Sequence, residues 1–274
     1  MDYVAAIVLG VIQGITAWIP VSSKTQVLLA GNAFFNLSFA QAIAFALILH
    51  VGDLLAAAVK YYREYVEALQ EFFLRPKKLA DYSGGEKTVN ARFLVASLVA
   101  SVIAALPVYL GVKKIFTSIS GEPLLALVGL ILLVMAGILY RARRKPAAPL
   151  TLKTALLTGV AQALAVIPGI SRSGITQSAL LLQGVEPEKA IRLSFVMSLP
   201  LIVAAIIGFY LVEGGFAGWT AELALIGIIV SAIASWFTMD ALTALARRVK
   251  PWWFVAAIGV LAMVPLALKL FLGD

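Results

Sequence analysis

Long apolar runs separated by short charged loops dominate the chain, and their lengths predict helices that cross a bilayer. Six stretches, about 39–61, 92–112, 123–141, 188–212, 221–245 and 252–272, have the roughly 20 residues that a span needs. Two further segments, about 3–33 and 151–184, are apolar but broken at their centres by proline and by hydroxyl and cationic residues. Each is too polar in the middle for an ordinary span and long enough for two half-helices. Irregular backbone at membrane depth survives only where protein buries it or it lines a wet cavity. The pattern therefore predicts an all-α polytopic membrane protein with six spans and two re-entrant helical hairpins.

The two broken segments carry the same polar string. The first reads Gly10-Val-Ile-Gln13, a run through Thr16 and Ala17, then Pro20-Val-Ser22-Ser23-Lys24-Thr25-Gln26. The second reads Gly159-Val-Ala-Gln162, an apolar run, then Pro168-Gly169-Ile-Ser171-Arg172-Ser173-Gly174-Ile-Thr176-Gln177. Two matched polar clusters inside apolar sequence point to two halves meeting at one polar site. A weaker echo links the run from Phe45 through His50 to Asp53 with the run from Phe195 through Ser198.

Charge orients the picture. With both broken segments returning to the side they entered, Arg63, Arg75, Lys77, Lys78, Lys87, Arg141, Arg143, Arg144, Lys145, Lys153, Arg247, Arg248 and Lys250 share one side. Lys113, Lys114 and Lys269 take the other. The positive-inside rule makes the first side cytoplasmic and both termini extracytoplasmic. The two hairpins then enter from opposite faces, each followed by three spans: an inverted repeat of about 1–141 and 151–274 within a single membrane domain. The loop 62–91 mixes signs and predicts an amphipathic surface segment from Tyr61 to Phe73, then a turn at Ser83-Gly84-Gly85.

Composition agrees. The 274 residues are 62% hydrophobic and 13% charged, against about 45–50% and about 25% in soluble domains. The net charge of +8 is loop charge that sets orientation, so no nucleic-acid partner is expected. There is no cysteine, which excludes disulfides and thiolate metal sites. The early polar string and the lack of a basic leader make a removable signal peptide unexpected.

The polar clusters suit phosphate. Arg172 offers a planar fork for phosphate oxygens, Gly169 and Gly174 let backbone N–H groups approach, and a half-helix starting near Ser173 adds its N-terminal dipole. The competing reading is an Arg neutralised by backbone carbonyls. Ser23 is a nucleophile or a phosphate donor, Lys24 a neutralising cation, and Ser22 or Ser23 a cap for the next helix. His50, the only histidine, lies one turn from Asp53 on the same face. The pair reads as a base, as a carboxylate helping to hold a divalent ion, or as a structural bond between hairpin and span. Asp240 is expected to pair with Arg247 or Arg248. Trp219, Trp252 and Trp253 read as an interfacial belt.

Over nearly its whole length the chain resembles the undecaprenyl-diphosphate phosphatase family, the BacA type. Pro168 to Thr176 matches that family's P-G-x-S-R-S-x-x-T motif completely, and Gln13, Pro20, Ser22 and Ser23 match its E/Q-x-x-x-E…P-V/I-S-S-x-x-H motif. Ala190 to Phe195 is similar to the run that follows the second motif. The resemblance implies an inverted repeat with two re-entrant hairpins in a prokaryotic plasma membrane. It also implies removal of the terminal phosphate of a polyprenyl diphosphate at the extracytoplasmic face, for lipid-carrier recycling, with Mg²⁺ or Ca²⁺. By that resemblance Ser23, Arg172, Gln13 and position 17, here Ala17, are catalytic, and Ser22, Lys24, Thr25, Gln26, Ser171, Ser173, Gly174 and Thr176 bind substrate. His50 and Asp53 are added from their own spacing, His50 as a catalytic residue and Asp53 as a metal ligand. Partners are the lipid diphosphate, membrane lipids and a second copy in a homodimer.

Three departures stand out. The family's second glutamate falls at Ala17, its histidine at Gln26, and its usual Gln at His50. Three readings account for Ala17: an engineered inactivating change, a divergent site in which His50 and Asp53 supply what is missing, or a polyprenyl-phosphate flippase that does not hydrolyse.

Overall fold

The computed structural model describes residues 2–19, 22–74, 91–119, 122–141, 149–167, 169–213, 219–245 and 251–272. Pro20, Pro168, the turn expected at Ser83-Gly84-Gly85 and the cations Arg75, Lys77, Lys78, Lys87, Arg143, Arg144, Lys145, Arg247, Arg248 and Lys250 lie outside the described residues.

The described residues form helices without strands, as the apolar periodicity predicts. They run α1 (Tyr3–Thr16), α2 (Ser23–Phe35), α3 (Phe39–Lys60), α4 (Tyr62–Leu74), α5 (Ala91–Ser118), α6 (Glu122–Arg141), α7 (Leu152–Ala163), α8 (Arg172–Leu182), α9 (Pro187–Glu213), α10 (Ala221–Leu245) and α11 (Pro251–Leu272). Among the described residues, four stretches are long and apolar enough to cross a membrane: Ala40–Lys60, Ala91–Val112, Lys189–Val212 and Ala221–Ala241.

Both broken segments become pairs of short helices, α1–α2 and α7–α8, the second with a 3-10 turn at Leu164–Val166. Side chains start the helices where the sequence offers them. Asp2 accepts from the Ala5 N–H, Thr151 from Thr154, Ser171 from Gly174, and Ser38 with Gln41 forms a capping box. Ser22 occupies the N-cap of α2 but makes no capping bond there.

The two halves exchange partners. α1 packs along α10, α7 along α5, and α6 along α11, while α2 and α8 sit against α3 and α9, which also meet each other. Glycine permits the closest of these approaches. A Cβ on Gly14 would lie 2.5 Å from the Ser231 carbonyl on α10, and one on Gly159 would lie 2.3 Å from the Ser97 carbonyl on α5. Neither contact tolerates a side chain.

Pro200 lies inside α9. It has no N–H for the Val196 carbonyl one turn back, and the Tyr65 hydroxyl of α4 donates to that oxygen at 3.1 Å. Burial pushes the Tyr65 phenol well above its usual range, so the hydroxyl stays a donor. The bond fastens α4 to the helical body beside the Arg192–Glu64 ion pair.

Among the described residues Asp240 pairs with Lys60; Arg247 and Arg248, its expected partners, lie outside them. α10 runs along α3 and brings the last residue of α3 to that carboxylate. Trp219 stacks on Phe45 with 3.7 Å between ring centroids, and Trp252 meets Tyr140 edge-on, so both also join helices to each other.

Candidate active site

The tips of the two broken segments interlock. The Lys24 ammonium donates to the Ala165 carbonyl. The Gly169 N–H donates to Thr25 Oγ1 at 2.8 Å, and Ser173 Oγ donates to the Ile19 carbonyl at 3.0 Å. Gly169 has φ +96°, a left-handed backbone that favours glycine, and its side faces Ile131 and the Val128 carbonyl of α6. α2 begins at Ser23 and α8 at Arg172, so two helix N-termini are brought to this junction. Each carries partial positive charge; Ser171 takes the Gly174 N–H of α8, while no side chain caps α2.

On the α1 side, Gln13 is the hub. Its Nε2 lies 2.7 Å from Asp53 Oδ2, 3.2 Å from Ser23 Oγ and 2.9 Å from His50 Nδ1. His50 Nδ1 is also 2.7 Å from Asp53 Oδ2. With His50 Nδ1 protonated, Gln13 Nε2 and His50 Nδ1 are two donors side by side on one carboxylate oxygen, and their mutual contact is not a hydrogen bond. His50 donates Nδ1–H to Asp53, and the two amide hydrogens of Gln13 go to Asp53 and Ser23. Ser23 then receives a hydrogen bond and keeps its own proton. Asp53 is fully buried. A bare carboxylate there would be costly, and four donors offset that cost. Besides Gln13 and His50, they are Ser231 and Ser235 of α10, which donate to Oδ1 at 2.8 and 2.7 Å.

On the α7 side, the equivalent Gln162 meets only neutral groups. Its Nε2 donates to Ser101 Oγ at 3.1 Å, and its Oε1 accepts from Thr176 Oγ1 at 3.0 Å. Ser101 in turn donates to the Ser97 and Gly159 carbonyls.

Arg172 stands at the start of α8. Its Nη1 donates to the Ser194 carbonyl at 3.1 Å, and its Cζ lies 5.5 Å from the centroid of the Trp18 ring. Its Nη2 is buried with no partner. Ser22 Oγ, Gln26 Nε2, Trp18 Nε1 and Gln13 Oε1 are likewise buried and unpartnered. Buried polar atoms rarely stay unpaired, and here the unpaired set is rich in donors, as an anion site requires.

The structure thus gathers the sequence-predicted residues unequally. Gln13, Ser23, His50 and Asp53 form one bonded network. Lys24 and Thr25 tie the first tip to the second. Ser171, Ser173 and Thr176 direct their hydroxyls into the protein: Ser171 caps Gly174, and Thr176 bonds Gln162 Oε1 and the Arg172 carbonyl. Ala17 packs with Trp18, Ala56, Ala57, Phe195 and Met239 in an apolar cluster. Sequence reasoning missed Ser231, Ser235 and Trp18. The i, i+4 serine pair on an otherwise apolar span was the available signal for the first two.

The residues present offer a divalent ion one open oxygen. The buried, unpartnered Gln13 Oε1 is a hard oxygen ligand, and Asp53 behind it supplies negative charge. Mg²⁺ is usually held by one or two carboxylates with waters and substrate phosphates. Here four donors occupy Asp53, so the Gln13 amide oxygen is the ligand left open and substrate would have to supply the rest. Among the described residues, no three His, Cys, Asp or Glu side chains group into a site of their own.

The family model described as "Bacitracin resistance protein BacA" matches residues 6–264. The chain is 38% identical over 261 residues to the undecaprenyl-diphosphatase of Haloarcula marismortui, covering 92% of this chain and 93% of that protein. It is 36% identical over 275 residues to the undecaprenyl-diphosphatase of Saccharolobus solfataricus, covering 96% of each. A third relative, the undecaprenyl-diphosphatase of Methanococcoides burtonii, is 36% identical over 274 residues, with 96% and 98% covered.

Proposed function

Because this chain belongs to the bacitracin resistance protein BacA family, and so is a multi-pass membrane protein, we propose that it removes the terminal phosphate of a polyprenyl diphosphate. The observation that carries the reading is the donor-rich junction between the two helix pairs. Arg172 Nη2 at the start of α8, and Ser22 Oγ and Gln26 Nε2 at the start of α2, are buried without partners, and Gln13 bonds Ser23, which lies between the last two in sequence. A diphosphate supplies the acceptor oxygens these atoms lack.

Each residue then has a task. Arg172 takes charge on the terminal phosphate, where negative charge spreads in the transition state. The N-termini of α2 and α8 add their dipoles. Ser23 stands at the reacting phosphorus, oriented by Gln13, and Asp53 with His50 fixes the Gln13 amide. Ser171, Ser173 and Thr176 shape the loop that presents Arg172. Gln13 Oε1 would hold a Mg²⁺ or Ca²⁺ ion together with the substrate oxygens, with Asp53 behind. When bound, such an ion polarises the phosphoryl oxygens. Lys24 adds positive charge at the interlocked tips.

The membrane arrangement follows the loop charges. Six spans and two re-entrant hairpins form an inverted repeat, the termini are extracytoplasmic, and the reaction faces that side, as lipid-carrier recycling requires. The exchange of partners between halves supports this reading, with α1 on α10 matched by α7 on α5.

Phosphate release from farnesyl diphosphate by the purified full chain in detergent is the test. The unaltered chain, with Ala17 in place, is expected to turn over. Arg172→Ala should lower the rate by about 10²–10³, the usual loss for a donor aimed at transition-state charge. Release that survives Arg172→Ala would overturn the site assignment. Lipid movement across reconstituted vesicles without any phosphate release would instead favour a flippase.

A further inference from the structure

We propose that Trp18 is part of the phosphate site: its ring face holds the Arg172 guanidinium, and its indole N–H is a second donor to the same phosphate. The proposal rests on the diphosphatase reading and adds a binding and positioning residue to it.

Three observations converge. First, the Arg172 Cζ lies 5.5 Å from the Trp18 ring centroid, within the distance at which a cation is attracted by the ring face. Second, Nη1 of the guanidinium donates to the Ser194 carbonyl, and Nη2 is buried without a partner. Third, Trp18 is 1% exposed and its Nε1 has no partner. A buried indole N–H normally finds an acceptor. The two unpartnered donors therefore sit on touching groups. A phosphate, with several oxygens and negative charge, can accept from both at once.

The surroundings fix the indole. Phe195 meets the ring edge-on, with centroids 5.0 Å apart at 78°. Phe195 follows Ser194, so one turn of α9 positions both the indole and the guanidinium. Were Trp18 only a core side chain, its N–H would be an unrelieved cost, and a plain hydrocarbon ring would serve better.

The substitution Trp18→Phe keeps an aromatic face for Arg172 and deletes the N–H. Trp18→Leu removes both. Kinetics with farnesyl diphosphate, thermal unfolding in detergent and intrinsic fluorescence on adding the same lipid are the readouts. For Trp18→Phe, KM should rise about tenfold, the loss of one hydrogen bond to a charged group, with kcat nearly unchanged and the same Tm. For Trp18→Leu, KM should rise at least as far and kcat should fall about tenfold as Arg172 loses its support.

An unchanged KM in Trp18→Phe would overturn the donor role. A kcat in Trp18→Leu equal to that of Trp18→Phe would overturn the support of Arg172. Where Leu lowers Tm, the comparison of Trp18→Phe with the unaltered chain still decides the donor role. The two readings fail separately. Binding without phosphate release defeats the hydrolase reading alone. In that case weaker binding by Trp18→Phe still supports the clamp, and equal binding overturns it.

Discussion

The α1–α2 and α7–α8 pairs are built alike and furnished differently. Each holds a buried glutamine one helical turn from a glycine pressed on a neighbouring helix: Gln13 with Gly10 on α10, Gln162 with Gly159 on α5. Gln13 is bonded to a carboxylate that also holds an imidazole, and to a serine hydroxyl. Gln162 is bonded to two hydroxyls that end on backbone carbonyls. The amide network thus belongs to the scaffold, which both halves need. The carboxylate and imidazole of α3 serve the first copy only, whose tip carries Lys24, while the second tip carries Arg172. In the proposed function, the reaction takes place where the two unlike tips touch.

Removing the glutamines one at a time should expose this difference. Gln13→Met strips Ser23 and Asp53 of a donor, and phosphate release should fall about 10–100-fold, the usual range for a residue that orients a reactive group. Gln162→Met should leave release nearly intact while unfolding moves down. Two lost hydrogen bonds at about 1 kcal/mol each correspond to a Tm lower by about 4–8 °C. The opposite ranking would sink the comparison.

A smaller effect should come from the serines that hold Asp53 from behind. The double change Ser231→Ala and Ser235→Ala leaves Oδ1 without its donors, and kcat should drop about tenfold. The corresponding change on the neutral side, Ser101→Ala, should leave kcat alone. Equal losses at the two places would mean the carboxylate has no special role. Smallest of all is Lys60→Met. Its partner Asp240 is 66% exposed, and exposed pairs contribute at most about 1 kcal/mol. Thermal unfolding of this variant should be almost unchanged.

Much of this was legible in the chain. The polar strings are too polar for the middle of an ordinary span, so 3–33 and 151–184 were visible as pairs of half-helices. His50 and Asp53 were one turn apart, and their bond follows from helix geometry. What the chain did not reveal depended on which helices meet. Ser231 and Ser235 look like small residues that ease packing on any span, until α10 is seen to lie against Asp53. Asp240 has arginines near it in sequence and Lys60 near it in space. Trp18 sits beside Ala17 in an apolar stretch, and nothing local says that an arginine more than 150 positions later covers its face.

The Asp53 carboxylate draws its donors from both ends of the chain: Gln13 and His50 from the first half, Ser231 and Ser235 from the second. A break in the polypeptide between α6 and α7 would therefore leave two fragments, each with an unfinished network. One would carry a buried acid missing half its donors, the other a pair of serines with nothing to hold. Produced together, the fragments have every contact needed to clasp and restore one enzyme. Produced apart, each would be as inert as a single blade of scissors.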